Sequence, residues 1–445
     1  MIRRTVLEWN SIDYGEDREN LATIPAHLAD RLAKVAAASP LAGRGAGGVI
    51  EHGRKGLRAR GIVGVLAAEG CSLEILPKID AADGIGDDSP ANTRRRLVHM
   101  LALAIDIKID AGQVTALDWQ HETLLEILIR IFSEKLVDAV RQGMPRRYVG
   151  HQDDLPALRG RLDVTRQFTK FAANPSRLAC RYDTLSTDIA LNRIMKAAIA
   201  RLTRIAQSAA NLHRLRELSF VFADITAIPV AALRWDDVVL DRTNARWLEL
   251  LNMAKLLLGD RFQTTSAGEG SGFSLLFEMN TLFEEYIGRM VARSLAGSHL
   301  KVVRQGGRMY CLESDSGGLF QTKPDILIKD GAKVVQVIDT KWKRIAEHLD
   351  DKKRGVAQAD VYQMMAYGRL YDCPRLTLLY PHHAELRADE GLQASHRITG
   401  SGHWLETVTI DIATATGIAE RLRQVVGTAL ANDRIAVESA PARCS

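Results

Sequence analysis

From its amino end the chain alternates short apolar runs with one helical stripe. Val6-Leu7-Glu8-Trp9 has strand character, and Pro25 to Ala38 puts Leu28, Leu32 and Val35 on one helical face. Arg58 to Ala67 and Ser72 to Ile79 predict a hairpin across Ala68-Glu69-Gly70-Cys71. The Asp- and Gly-rich stretch Asp80 to Asn92 reads as an exposed loop. The pattern then changes to helical periods: Arg94 to Ile107, Glu122 to Arg141, Ile189 to Ala206 and Asn244 to Leu258, with a strand- or loop-like interval from Arg146 to Val164. Ser266-Ala267-Gly268-Glu269-Gly270-Ser271-Gly272 has linker composition. Beyond it come a helix over Phe277 to Ile287, two apolar β-branched runs around Asp330-Gly331, a helix from Gln358 to Gly368, and a strand, Arg375 to Pro381. Three regions result: residues 1–92, mixed α and β; residues 93–265, mainly helical; and residues 266–445, α/β. The tail from Ala431 is expected to be loose.

The pair of apolar runs carries the candidate chemistry. Asp-Gly between β-branched runs is a strong local hairpin signal. Asp339 and Lys341 are two apart and share a face of the second strand. Folding back at Asp330-Gly331 returns Asp339 towards Asp325. Two carboxylates about 4 Å apart repel by roughly 1–4 kcal/mol at surface-like dielectric. A bound dication reverses that sign, and Mg²⁺ takes one or two carboxylates with waters and substrate phosphate. Asp325 and Asp339 are the expected ligands, with the carbonyl of Thr340 as an additional one. Lys341 would act on the attacking water or on transition-state charge. Gln363 and Tyr367, at i and i+4, stack on one face of the following helix. Glu284, on the preceding helix, is the expected extra acid; Glu285 is its rival, because helix phase is not fixed by one sequence.

Asp325, Asp339 and Lys341 form the P-D-x(n)-(D/E)-x-K pattern of restriction-endonuclease-like nucleases. With the remaining strings the chain resembles the McrC family, the nuclease subunit of McrBC modified-cytosine restriction systems. Those strings include Gly61-Ile62-Val63-Gly64-Val65, Leu158-Arg159-Gly160-Arg161-Leu162-Asp163, Tyr182-Asp183-Thr184-Leu185-Ser186-Thr187-Asp188 and Asp241-Arg242-Thr243-Asn244. The resemblance implies an α+β N-terminal part that docks a partner, a helical middle and a C-terminal PD-(D/E)xK domain. It also implies Mg²⁺ (or Mn²⁺) dependence, a hexameric McrB-like AAA+ GTPase partner, and double-stranded DNA with methylated cytosine as substrate. The catalytic set it carries over is Asp325, Asp339 and Lys341, then Glu284, Gln363 and Tyr367. A non-catalytic activator of an AAA+ NTPase and a stand-alone RecB-like nuclease are the alternatives.

Composition narrows this little. The 445 residues are 46% hydrophobic and 25% charged with a net charge of +5, which excludes a wholly disordered chain and is compatible with DNA. Five scattered cysteines without a C-x-x-C pair argue against zinc, a disulfide framework or an iron–sulfur cluster. No signal sequence and no run of 18 apolar residues is evident, so a cytoplasmic protein without a membrane span is expected. Arg94-Arg95-Arg96 reads as a solvated helix start, and His382-His383 as surface residues. Gly43 to Gly48 formally fits G-x-G-x-x-G but lacks the strand before and helix after, so a flexible loop is expected. No P-loop is present, so NTP hydrolysis would be the partner's.

Overall fold

The computed structural model describes residues 2–16, 23–43, 48–79, 89–107, 122–172, 176–259, 272–315, 317–345, 356–386, 388–413 and 417–426. Most of the Gly43–Gly48 loop, the Ser266–Ser271 linker and the tail from Ala431 lie outside them. The chain forms two compact units: residues 1–124 with 262–445, and residues 125–261. The boundary read at 265/266 falls close to one edge of this division, whereas the one at 92/93 lies inside the first unit.

The first unit opens with β1 (Ile2–Leu7), β2 (Ser11–Tyr14), β3 (Thr23–Ile24), α1 (Ala26–Ala37), β4 (Ile50–His52), β5 (Gly56–Ala59), β6 (Ile62–Ala68), β7 (Cys71–Leu76) and α2 (Pro90–Ala104). β6 and β7 form the hairpin read from the sequence, turning at Glu69-Gly70. Strands β3-β2-β5-β4 make a small sheet, while β1, β7 and β6 belong to a second sheet. Leu28, Leu32 and Val35 of α1 join Ile12, Leu57, Leu66 and Leu73 in one core, the stripe that the spacing predicted. β6 and β7 are buried along nearly their whole length, as continuous apolar runs should be. One acid interrupts β7. Glu74 is buried and receives Arg94 of α2 through Nε (2.9 Å) and Nη2 (2.7 Å). Arg94 is therefore not part of a solvated helix start; a buried carboxylate needs a bidentate cation, and α2 supplies it. The helix also begins earlier than read, at Pro90, with Ser89 as its cap.

The second unit contains α3 (Leu124–Arg141), β8 (Arg147–Leu155), β9 (Arg161–Leu162), α4 (Val164–Lys170), β10 (Leu178–Ser186), α5 (Ala190–Ile205), α6 (Ala209–Val221) and α7 (Leu248–Leu258). α3, α5 and α7 match three of the four helical periods, the remaining one being α2 of the first unit; α6 is an additional helix, and α5 packs on both α6 and α7. Strands β8-β10-β9 form an antiparallel sheet.

Returning to the first unit, β11 (Gly272–Glu278) pairs antiparallel with β6 and completes the sheet β1-β7-β6-β11. Gly64 allows this pairing: its φ is +132°, and a Cβ there would stand 1.9 Å from the Leu275 carbonyl oxygen. Phe277 and Glu278, read as helical, are the last residues of this strand, and α8 (Met279–Ser294) starts after them. A six-stranded mixed sheet follows, built from β12 (Leu300–Arg304), β15 (Ile326–Asp330), β16 (Lys333–Thr340), β17 (Arg375–Pro381), β18 (Gly391–Arg397) and β19 (Trp404–Ile410) in the order β12-β15-β16-β17-β19-β18. Between β12 and β15 stands an exposed hairpin, β13 (Tyr310–Ser314) and β14 (Gly317–Gln321). β16, β17 and β19 run parallel. α8 and α9 (Gln358–Leu370) both pack on β16. No helix among the described residues is long and apolar enough to cross a membrane.

Candidate active site

The site is made by a register. β15 and β16 turn at Gly331-Ala332, with Asp330 opposite Lys333 and Lys329 opposite Val334. Continued without interruption, that register would set Asp325 opposite Ile338 and leave Asp339 on the other face. Between Ile328 and Lys329 the register shifts by one, because Val335 is an extra residue on β16. Ile326 then opposes Ile338, and the next step brings Asp325 opposite Asp339. A one-residue bulge thus puts both carboxylates on one face of the sheet. Leu327 and Val337, which share that face, pack with Met364 and Tyr367 of α9. The acids consequently lie where α9 covers the sheet.

Each predicted side chain can now be placed. Asp325 Oδ2 accepts from the Thr340 amide (2.7 Å) and hydroxyl (2.8 Å), which fixes the carboxylate across the strand end. Asp339 is buried and ion-paired through Oδ2 with Lys341 Nζ at 2.5 Å. Lys341 also donates to Gln363 Oε1 (3.3 Å), whose Nε2 donates to the Tyr367 hydroxyl (2.7 Å). Its backbone N–H continues the pairing of β16 with β17, at 2.9 Å from the Leu379 carbonyl. Glu284 accepts from Gln305 Nε2 (2.8 Å), and the Gln305 amide donates to the Asp325 carbonyl (2.8 Å). Glu285 is turned to Arg304 (3.0 Å) and Arg289 (3.8 Å) instead. The structure thus brings together Asp325, Asp339, Lys341, Gln363 and Tyr367, with Glu284 rather than Glu285 on the site's side.

The electrostatics follow from crowding. Burial raises the Asp325 carboxyl above the usual range, and the Glu284 charge raises it further; the Thr340 hydrogen bonds and Lys341 only partly oppose this. Burial likewise raises Asp339, with Asp325 next and Lys341 opposing. Burial pulls Lys341 down, but Asp339 and its neighbours outweigh it and keep the ammonium charged. Glu284 is raised by burial. Among the described residues no three His, Cys, Asp or Glu side chains form a ready metal cage. The donor set is a two-carboxylate one, which suits a hard ion that keeps several waters.

Sequence reading missed Asp360. It is buried, 3.8 Å from Lys341 Nζ and 3.1 Å from Lys343 Nζ. Its signal was available, since Asp360, Gln363 and Tyr367 are spaced three and four apart along a single helical stripe. His382 and His383 depart from the surface reading. Both are buried, His382 against the Thr409 hydroxyl (3.0 Å) and His383 against the Ile345 carbonyl (2.9 Å). β19 pairs alongside β17 as far as Pro381 and covers what a strand-end dipeptide would otherwise expose.

Comparison with known proteins speaks to the family and the fold. The family model of the McrBC 5-methylcytosine restriction system component matches residues 57–381, well over half of the chain. The chain belongs to that family. No curated protein matches it. Among solved structures, a chain of the refined half-complex from the tetradecameric assembly of Thermococcus gammatolerans McrB AAA+ hexamers with bound McrC is similar with a TM-score of 0.67 and 20% identity. That match covers 96% of this family member and 99% of the other chain, and speaks to the fold. A chain of the cryo-EM structure of the Thermococcus gammatolerans McrBC complex matches with a TM-score of 0.50 and 25% identity, over 66% of this chain and 88% of that one.

Proposed function

We propose that this protein is the endonuclease subunit of an McrBC-type restriction system, hydrolysing DNA phosphodiester bonds in the PD-(D/E)xK manner. The observation that carries the reading is the bulged register setting Asp325 opposite Asp339 with Lys341 beside them. Asp325 and Asp339 would hold the metal, with the Thr340 carbonyl and Glu284 as further oxygen donors. A Mg²⁺ held there would supply Lewis-acid chemistry, activating water and offsetting charge on the scissile phosphate. The protein's own residues supply the rest. Lys341, kept cationic by Asp339, stabilises charge on the phosphate or orients the water. Gln363 fixes the ammonium and is itself fixed by Tyr367. Asp360 is a second carboxylate near the Lys341 ammonium, at 3.8 Å, and adds to keeping it charged.

The partner reading rests on the family and on the McrB AAA+ hexamers named in the similar structures. We infer a comparable AAA+ hexamer here, which would couple NTP hydrolysis to translocation and recognise modified cytosine. The deciding experiment is cleavage of methylated and unmethylated plasmid, with and without that NTPase, in Mg²⁺ and in EDTA. Metal-dependent cleavage lost in Asp339→Asn is the expected result. Full cleavage by that variant would overturn the site.

A further inference from the structure

A cleft of about 330 Å³ opens just past Lys341, at the lower end of the roughly 300–1,000 Å³ range of ligand sites. It is lined by Trp342 and Lys343, by Glu8, Trp9 and Lys78 from the other end of the same unit, and by His383. Glu8 is 1% exposed. Its Oε1 accepts from the Trp342 indole N–H (2.8 Å) and the Lys78 amide (2.9 Å), while its Oε2 has no hydrogen-bond partner among the described residues. The buried Nδ1 of His383 is equally without one. Two residues that line this cleft thus each carry a buried polar atom without a partner among the described residues, and a buried acceptor left unsatisfied is costly unless a ligand completes it.

Trp9 adds an independent observation. Its φ is +65°, a region that a bulky side chain rarely adopts. The ring lies over Gly61, where a Cβ would stand 3.0 Å from Cζ2, and the residue is 50% exposed. The backbone there is left-handed, and half of the large aromatic side chain stays exposed. Indole faces, a buried carboxylate acceptor and flanking lysines together match a nitrogenous base with its phosphate.

We propose that this cleft receives a nucleotide unstacked from the DNA strand beside the cleavage site. Its base would lie against Trp9 and Trp342, a ring or amino N–H would donate to Glu8 Oε2, and its phosphate would face Lys78 and Lys343. Trp342 and Lys343 are one and two residues from Lys341, within about 7 Å along the backbone, so the pocket lies next to the strand that Lys341 handles. The inference rests on the nuclease reading for its ligand.

The test uses the full-length protein in EDTA, so that binding is read without cleavage. A short labelled single strand of mixed sequence is titrated against wild type, Trp9→Ala, Trp9→Phe and Glu8→Gln, and so is a strand of the same length made entirely of abasic sites. Trp9→Ala should weaken the intact strand roughly tenfold, and Trp9→Phe should recover most of that. Glu8→Gln keeps the Oε1 contacts but can present a donor in place of Oε2, and should also weaken binding several-fold. On the abasic strand all four proteins should bind alike. Unchanged affinity of Trp9→Ala for the intact strand, or the same loss on the abasic strand, overturns the pocket. Competition by free deoxynucleoside monophosphates at equal concentration overturns the strand as its source. If Glu8→Gln does not fold, the half-exposed Trp9 position still decides. Because no metal is present, a pocket that passes while wild-type cleavage fails would sink the nuclease reading alone.

Discussion

Asp188 in the helical unit and the Asp325–Asp339 pair in the other unit are all acids at sheet or helix ends, yet they are treated in opposite ways. Asp188 receives Arg193 through Nε (2.7 Å) and Nη2 (2.8 Å), and Thr226 through its amide (3.0 Å) and hydroxyl (2.6 Å). The Arg193 hydrogen bonds hold its carboxyl well below the usual range despite partial burial, with Thr226 adding to the effect. Asp325 and Asp339 face one another and share one ammonium, which Asp360 also draws on. Their carboxyls are pushed up by burial and by neighbouring acids. An acid that serves the fold is matched with donors until its charge is welcome. The paired acids are left short of positive charge, which is what the proposed divalent cation would supply.

The largest expected effect tests that deficit through chemistry. Lys341→Ala and Asp339→Ala should each lower cleavage by about three orders of magnitude, the scale of removing a positioned catalytic group, while melting remains cooperative. Lys341→Arg should not rescue, because a planar guanidinium does not replace a compact ammonium between Asp339 and Gln363. Plasmid cleavage time courses check both. Next in size is metal binding without DNA. With free Mg²⁺ or Mn²⁺ at 100 times its dissociation constant, mass action stabilises the folded protein by about 2.7 kcal/mol. Asp325→Asn should remove most of that gain, whereas Asp188→Asn should leave it intact. Equal metal-induced shifts in melting temperature for wild type and Asp325→Asn would show that Asp325 is not a ligand.

Much of this contrast was legible in the sequence, though unevenly. The hairpin around Asp330-Gly331, the strands flanking it, the Gln363–Tyr367 stripe and the α1 core face follow from local period and turn chemistry, although the turn itself proves to be Gly331-Ala332 rather than Asp330-Gly331. The register did not, because a one-residue bulge such as the one at Val335 has no local sequence signature of its own. Arg94 read as solvated since Glu74, its partner, is on a strand twenty residues away whose burial comes from later elements. Glu8 gave no signal at all. Its partner Trp342 is 334 residues further on, a separation that no local pattern spans. Residues whose role comes from long-range pairing are the ones a linear reading loses.

The comparison also has a pH signature. In the metal-free protein the carboxyls of the Asp325–Asp339 pair are raised to about 6 from an ordinary value near 4. Between those values the folded state binds more protons than the unfolded one, so stability falls as pH rises through the window. Ionising one such carboxyl costs the folded state on the order of 2 kcal/mol, seen as a decline of several degrees in melting temperature from pH 4 to pH 7. Thermal melts in EDTA should show that component, and Asp325→Asn should reduce it. Saturating Mg²⁺ at pH 7 should restore the lost stability.

Asp188 is expected to behave with the opposite sign and a smaller size. Its carboxyl is depressed in the folded state, so its contribution is present above the unfolded value near 4 and is lost as pH falls towards the depressed one. Asp188→Asn takes the ionic partner from Arg193 and weakens the Thr226 contacts. The pair is partly solvent-exposed, so the loss should be about 1 kcal/mol at pH 7 rather than the larger figure of a buried pair. Asp325→Asn, in metal-free buffer at the same pH, should raise stability by relieving like-charge contact with Asp339. The same Asp-to-Asn exchange therefore destabilises one unit and stabilises the other. Paired melts at pH 7 in EDTA measure both signs at once, and a destabilised Asp325→Asn would mean that the Thr340 hydrogen bonds, rather than charge crowding, govern that carboxylate.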